Sequence, residues 1–204
     1  NTATVGTMSI TDTDTSGTQA CSVAGADNAL FTCTVSSGTA TLAFASAPNY
    51  DSPSDAGANN VYDITVSFTD GTNTLGAQTT AITVTDLNDQ TPAATVAATY
   101  SVAENTATVG TMSITDTDTS GTLACSVAGT DNALFTCTVS SGTATLAFAS
   151  APDYDSPADA GTNNVYDITV SFTDGTNALG AQTTAITVTD VNDQTPAATV
   201  AATY

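Results

Sequence analysis

The chain is predicted to be all-β, built as tandem seven-stranded Greek-key β-sandwiches arranged end to end, and three observations predict it. The sequence repeats with a period of 104 residues: NTATVGTMSITDTDTSGT starts at Asn1 and again at Asn105. It holds 45 Thr and 18 Ser, and Thr favours strands over helices. Apolar residues alternate with period 2 in short segments between turn signals, as a sandwich of about 100 residues requires.

Aligned on the period, residues 1–100 and 105–204 differ at seven positions: Gln19/Leu123, Ala26/Thr130, Asn49/Asp153, Ser54/Ala158, Ala58/Thr162, Thr74/Ala178 and Leu87/Val191. The chain therefore reads as a slice of an array of near-copies. In the second copy the expected strands are A (Ala97–Glu104), B (Val109–Thr115), C (Ala124–Val127), D (Leu134–Val139), E (Ala144–Phe148), F (Val165–Phe172) and G (Thr184–Thr189). Strand F shows the logic, with Tyr166, Ile168, Val170 and Phe172 on one face and Asp167, Thr169 and Ser171 on the other, a half-buried antiparallel strand. Gly121, Gly142 and Asp174-Gly175 mark turns. On this reading residues 1–91 are a first repeat without its own strand A, and residues 92–195 are a second. Residues 196–204 are strand A of a following repeat or a strand donated to another subunit. Either arrangement continues head to tail, as a filament does.

Composition excludes whole classes of function. The chain has no Lys, Arg or His and 20 acidic residues, for a formal charge of −20. It cannot neutralise a nucleic-acid backbone or an anionic membrane surface. Without His there is no Ser-His-Asp or Cys-His machinery. Paired carboxylates could serve glycoside hydrolysis, but the pairs recur once per repeat at strand ends, where a metal accounts for them, so the chain is read as not an enzyme.

Each repeat carries two cysteines spaced C-x11-C: Cys21 and Cys33, Cys125 and Cys137. Zinc knuckles use much shorter spacings. Cys125 shares a face with Val127, and Cys137 with Phe135 and Val139, so both are expected to point inward and to form one disulfide per repeat. Such bridges persist in oxidising compartments, which places the protein outside the cell or at its surface.

The acidic residues gather at strand ends. Asp12 and Asp14, repeated as Asp116 and Asp118, follow strand B. Asn49 and Asp51, repeated as Asp153 and Asp155, precede strand F; Asp70 and Asp174 follow it. Asp86, Asn88 and Asp89, repeated as Asp190, Asn192 and Asp193, follow strand G, and Glu104 closes strand A. In stacked sandwiches these ends converge on the junctions between repeats. Clustered carboxylates repel unless a hard cation joins them, and Ca²⁺ takes six to eight oxygens from such Asp-x-Asp and Asp-x-Asn segments. A merely solubilising surface would scatter its acids instead.

These motifs, in this order, resemble a cadherin-type repeat of the kind found in adhesion receptors and very large bacterial surface proteins. The matching pieces are Tyr100-Ser-Val-Ala-Glu104-Asn, Val109-Gly-Thr, Asp116-Thr-Asp118, Leu134-Phe135, Pro152-Asp-Tyr-Asp155, Tyr166-Asp-Ile-Thr-Val-Ser-Phe-Thr-Asp174 and Asp190-Val-Asn-Asp-Gln-Thr-Pro196. The resemblance implies an immunoglobulin-like or cadherin-like sandwich with a calcium cluster, usually of three ions, at each junction. It assigns Asn49, Asp51, Asp86, Asn88, Asp89, Asp116, Asp118 and Asp174 to the junction between the repeats. Glu104, Asp153, Asp155, Asp190, Asn192 and Asp193 fall to the next, and Asp12, Asp14 and Asp70 to the previous one. Asp51 and Asp155 stand where the family has Glu.

The function expected is structural: a repeat of an extracellular filament or adhesin stalk, rigidified by Ca²⁺ and stapled by disulfides, whose partner is itself. The alternative is a ligand- or glycan-binding adhesion module, which would want an exposed aromatic platform or a long insertion; Trp is absent and the aligned copies match without an insertion. There is no Asn-x-Ser/Thr sequon, while outward Thr positions are open to an O-linked glycan coat.

Overall fold

The computed structural model describes residues 2–14 and 16–199. It comprises two compact units, Asn1–Leu87 and Asn88–Tyr204. The first holds β1 (Thr4–Ser9), β2 (Ala20–Ala24), β3 (Phe31–Ser36), β4 (Thr39–Phe44), β5 (Val61–Thr69) and β6 (Thr74–Thr83). The second holds β7 (Ala93–Ala94), β8 (Thr99–Ala103), β9 (Thr108–Thr115), β10 (Ala124–Ala128), β11 (Phe135–Ser140), β12 (Thr143–Phe148), β13 (Val165–Thr173) and β14 (Ala178–Thr189).

In the second unit one sheet runs β7-β9-β12-β11 and the other β8-β14-β13-β10. The chain passes between sheets from β9 to β10, returns to β11, makes the β11–β12 hairpin, and crosses again to the β13–β14 hairpin. This is a sandwich, because each strand has one apolar face to bury and the two sheets bury theirs against each other. Tyr166, Ile168, Val170 and Phe172 on β13 are each at most 2% exposed, and Asp167 between them faces solvent. Phe135 and Phe148, 4.4 Å apart between ring centres, both meet the Tyr166 ring edge-on. Burial pushes the Tyr166 phenol pKa up, and its oxygen accepts the N–H of Ala158 at 3.3 Å.

The expected strands B, C, E and F are found within about a residue of their expected ends, the ordinary fraying of strand assignment. Three expectations need correction. Leu134 ends a short 3-10 turn, Asn132–Leu134, rather than opening strand D, which starts at Phe135. Strand G begins at Ala178, because β13 and β14 form one long hairpin in which Thr173 already faces Ala178. Strand A is two pieces on opposite sheets: β7 pairs antiparallel with β9 (Ala94 with Ile114), and β8 pairs parallel with β14 (Tyr100 with Ile186). A side-chain amide holds the crossover between them. Gln182 Oε1 accepts the N–H of Val96 at 3.0 Å and its Nε2 donates to the carbonyl of Ala94 at 3.1 Å.

The first unit repeats the plan with sheets β1-β4-β3 and β2-β5-β6. Of the strand expected over 196–204, residues 196–199 form none, and 200–204 lie outside the described residues.

Cys21–Cys33 and Cys125–Cys137 are disulfides, each with Cα atoms 5.8 Å apart. Each joins strands of opposite sheets, β2 to β3 and β10 to β11. Among the described residues no helix is long and apolar enough to cross a membrane.

Candidate metal centre

In the second unit, Asp116, Asp118 and Asp174 each offer a carboxylate oxygen, and the three atoms lie within 4.8 Å of one another. Asp116 and Asp118 stand in the turn leaving β9, where the N–H of Asp118 donates to Asp116 Oδ1 at 3.1 Å. Asp174 follows β13 in the Asp-Gly turn. Its Oδ1 accepts the N–H groups of Thr176 and Asn177, both at 2.7 Å, and it is 2% exposed. Burial works to raise the Asp174 pKa, but the backbone donors of Asn177 and Thr176 and the amides of Asn177 and Asn88 outweigh it, so the group lies below the usual carboxylate range.

Asn88 and Gln90 belong to this cluster. The N–H of Gln90 donates to Asp118 Oδ2 at 2.8 Å, and Asn177 Nδ2 donates to Asn88 Oδ1 at 3.1 Å. With its amide nitrogen turned to the acids, Asn88 donates to Asp174 Oδ2 at 2.7 Å and to Asp118 Oδ2 at 3.1 Å. In the opposite orientation its oxygen faces the acid oxygens and accepts from Asn177 Nδ2, so it could also turn toward a bound cation. Gly121 makes room here: its φ is +104°, and a Cβ would lie 2.6 Å from Asn88 Nδ2.

Two oxygens of the cluster, Asp116 Oδ2 and Asp118 Oδ1, are buried and accept no hydrogen bond. The chain has no cationic side chain to give them. A buried carboxylate oxygen without a donor costs free energy, and a hard divalent cation is what this donor set fits.

Five further acids of this unit, Asp153, Asp155, Asp190, Asp193 and Glu104, form a second group built around Glu104, which is 3% exposed. Glu104 Oε2 accepts the N–H of Tyr154 at 2.8 Å and Oε1 that of Val191 at 2.7 Å, so this one side chain ties the loop before β13 to the end of β14. Asp153 Oδ1 accepts the N–H groups of Asp155 and Ser156, and Asp193 Oδ2 accepts from Asn105 Nδ2 at 2.8 Å. Asp155 has its pKa raised, first by burial and then by the negative charges of Asp190, Glu104, Asp153 and Asp193. Asn192 lies exposed in the same terminal segment.

In the first unit Asp12, Asp14 and Asp70 also offer oxygens within 4.8 Å of one another. The N–H of Asp14 donates to Asp12 Oδ1 at 3.0 Å. The backbone and side chain of Asn73, then the N–H of Thr72, hold the Asp70 pKa down to about 2. Asn49 Oδ1 accepts the N–H of Asp51 at 3.0 Å, Asp86 follows β6 partly buried, and Asp89 Oδ1, in the second unit, accepts from Gln90 Nε2 at 2.6 Å.

Sequence reasoning missed four acids that are buried away from these clusters: Asp27, Asp55, Asp131 and Asp159. Asp131 accepts the N–H groups of Ala160 and Asp167, and Asp159 those of Asn163 and Asn164. Their carboxylates are filled by backbone donors, so they brace the long loop before β13 and offer little to a metal.

No protein-family model matches the sequence, and no curated protein sequence matches it. Solved structures do match. Protocadherin gammaB7 EC3-6, in a cis-dimer structure, is 22% identical over 86% of this chain and 42% of that chain, with a TM-score of 0.60. The human desmocollin-1 ectodomain is 15% identical over 94% of this chain and 39% of that one, with a TM-score of 0.66. Mouse cadherin-23 EC22-24 is 19% identical over 85% of this chain and 53% of that one, with a TM-score of 0.56. The chain thus spans about half or less of each of these structures. What they share with it is the fold, that of cadherin-like β-sandwich repeats.

Proposed function

We propose that the chain is a structural repeat segment of an extracellular filament or adhesin stalk, in which Ca²⁺ held by the acid clusters stiffens the passage from repeat to repeat. The observation that carries this reading is the pair of buried, donor-free oxygens on Asp116 and Asp118 beside Asp174, in a protein without a cationic side chain. Asp116, Asp118, Asp174 and the Asn88 carbonyl would hold the ion, with Asn49, Asp51, Asp86 and Asp89 completing the set that the sequence motifs assign to this junction. Asp12, Asp14 and Asp70 would serve the preceding junction, and Glu104, Asp153, Asp155, Asp190, Asn192 and Asp193 the following one.

Calcium would supply charge neutralisation and rigid multidentate coordination, and no bond-making chemistry. Without it each cluster is a set of like charges that push apart; with it the strand ends are fixed. The disulfides support an oxidising, extracellular setting. Near-copies of one unit suit a spacer whose output is stiffness. Calorimetric titration of the full chain with CaCl₂ tests the reading. Saturable binding that Asp118→Asn weakens supports it, and the absence of binding to the unaltered chain would sink it.

A further inference from the structure

Asn60 and Asn164 stand at the same place in the two units, immediately before β5 and β13, and each is only 9% exposed. Both have φ +62°, in the left-handed region, where Gly costs least and Asn is among the few side chains tolerated. Gly would serve the backbone there, so the buried amide needs another explanation. Half of that amide is idle: Asn60 Oδ1 and Asn164 Oδ1 are buried and accept no hydrogen bond, although burying such an oxygen costs free energy. The working half is the nitrogen, which donates in both units.

Asn164 Nδ2 donates to the carbonyl of Tyr154 at 2.9 Å, and the Asn164 carbonyl accepts the N–H of Val188 at 2.9 Å. Tyr154 lies between Asp153 and Asp155, and Val188 lies two residues before Asp190. Glu104 takes hold of the same two segments through the N–H groups of Tyr154 and Val191. Both polar main-chain groups of Tyr154 are thereby fastened, which opposes the tendency of the flanking carboxylates to swing apart under their mutual repulsion. The Tyr154 side chain is itself 37% exposed, so the segment is held by its backbone and not by its ring.

Asn60 makes the same contacts in the first unit. Its Nδ2 donates to the carbonyl of Tyr50 at 2.9 Å, and its carbonyl accepts the N–H of Val84 at 2.9 Å. Tyr50 lies between Asn49 and Asp51, and Val84 lies two residues before Asp86. Each Asn is anchored in turn on its own loop, where its backbone N–H donates at 3.0 Å to Asp55 or Asp159. Those two acids belong to no metal set, so the clamp reaches the acid-bearing segments from outside them.

We propose that Asn60 and Asn164 are positioning residues for calcium: their amides hold the Asn49-Tyr50-Asp51 and Asp153-Tyr154-Asp155 segments in a binding arrangement before an ion arrives, without coordinating it. The inference rests on the calcium reading of the acid clusters and adds to it two residues that carry no charge and contribute no ligand atom. Outer groups that orient a metal's ligands typically change its affinity by about 10- to 100-fold when removed.

The test is calorimetric titration of the full chain with CaCl₂, well below its melting temperature, on three proteins: the unaltered chain, Asn60→Gly with Asn164→Gly, and Asn59→Ala with Asn163→Ala. Gly adopts the left-handed φ freely, so the glycine pair loses the amides without straining the loops. The alanine pair loosens the same loops elsewhere, because the Asn59 and Asn163 side chains accept the N–H groups of Val61 and Val165. The glycine pair should bind the same number of ions about tenfold or more weaker, and the alanine pair should bind like the unaltered chain. In EDTA, with no ion present, the amides of Asp51 and Asp155, which donate to Asn49 and Asp153, should exchange faster in the glycine pair than in the alanine pair. Unchanged affinity in the glycine pair, an equal loss in both pairs, or unchanged amide exchange would overturn the positioning role and leave the calcium reading standing. An unaltered chain that binds no calcium would overturn both.

Discussion

Asp131 accepts the backbone N–H of Asp167 at 2.7 Å, so two acids 36 residues apart are joined through a main-chain donor. The other oxygen of Asp131 takes the N–H of Ala160 at 2.8 Å. The carboxylate thereby fixes both the start of β13 and the loop that leads to it. In the first unit Asp27 does the same for Asp63 and Ala56, both at 2.7 Å.

Replacing Asp131 with Ala leaves two N–H groups at a site only 6% exposed. Hydrogen bonds to charged groups contribute roughly 1.5–3 kcal/mol, so Asp131→Ala should destabilise the second unit by about that much or more. Urea unfolding followed by near-UV absorption of the buried Tyr166 measures it, and Asp131→Asn, which keeps one acceptor, should lose less.

The two glutamines at matching positions should behave differently. Gln182→Ala removes both hydrogen bonds that hold the strand crossover, whereas Gln78→Ala removes only a local bond to Gly76. Amide exchange at Val96 should therefore accelerate in Gln182→Ala and stay unchanged in Gln78→Ala.

Each disulfide closes a loop of 12-residue separation between opposite sheets. In the chain-entropy picture such a loop stabilises by roughly 3 kcal/mol. Reducing the protein, or substituting Cys125 and Cys137 together by Ser, should lower its denaturation midpoint by a corresponding amount without changing the strand content seen by circular dichroism.

Asp55 gives a pH dependence with a definite sign. Backbone donors, Asn59 first and then Asn60, hold its pKa below the usual carboxylate range despite the opposing effect of burial. A depressed folded pKa means that the unfolded chain binds the proton more readily. The Asp55 contribution is therefore full above the unfolded value, near 3.9 (approximately), and is lost as pH falls through the folded value beneath it. Carbon-detected NMR titration should place the Asp55 midpoint below that of an exposed Asp, and Asp55→Asn should flatten the acid limb of the stability profile.

Strand F was legible in the sequence because Tyr166, Ile168, Val170 and Phe172 carry their own period and need no distant partner to reveal it. The disulfides were legible for a similar reason, since Cys125 and Cys137 sit in phase with Val127 and Val139. The split of strand A was not. The crossover is clasped by Gln182, 86 residues from Val96, and no local pattern announces such a clasp. Asp131 escaped notice likewise, because a single Asp after Gly129 reads as a turn until the loop 29 residues on is seen to lie across it. The motifs also identified the acids at strand ends without revealing which of their oxygens lack donors, as burial depends on the folded neighbours.

On the proposed function a divalent cation occupies the acid clusters. Thermal unfolding of the full chain in CaCl₂, in EDTA, and in EDTA with added NaCl tests it most directly. The melting temperature should be lower by many degrees in EDTA and not restored by NaCl, and Asp118→Asn should respond less to calcium than the unaltered chain. Identical transitions with and without calcium, or full rescue by NaCl alone, would mean that the clusters are only screened charge, and would contradict it.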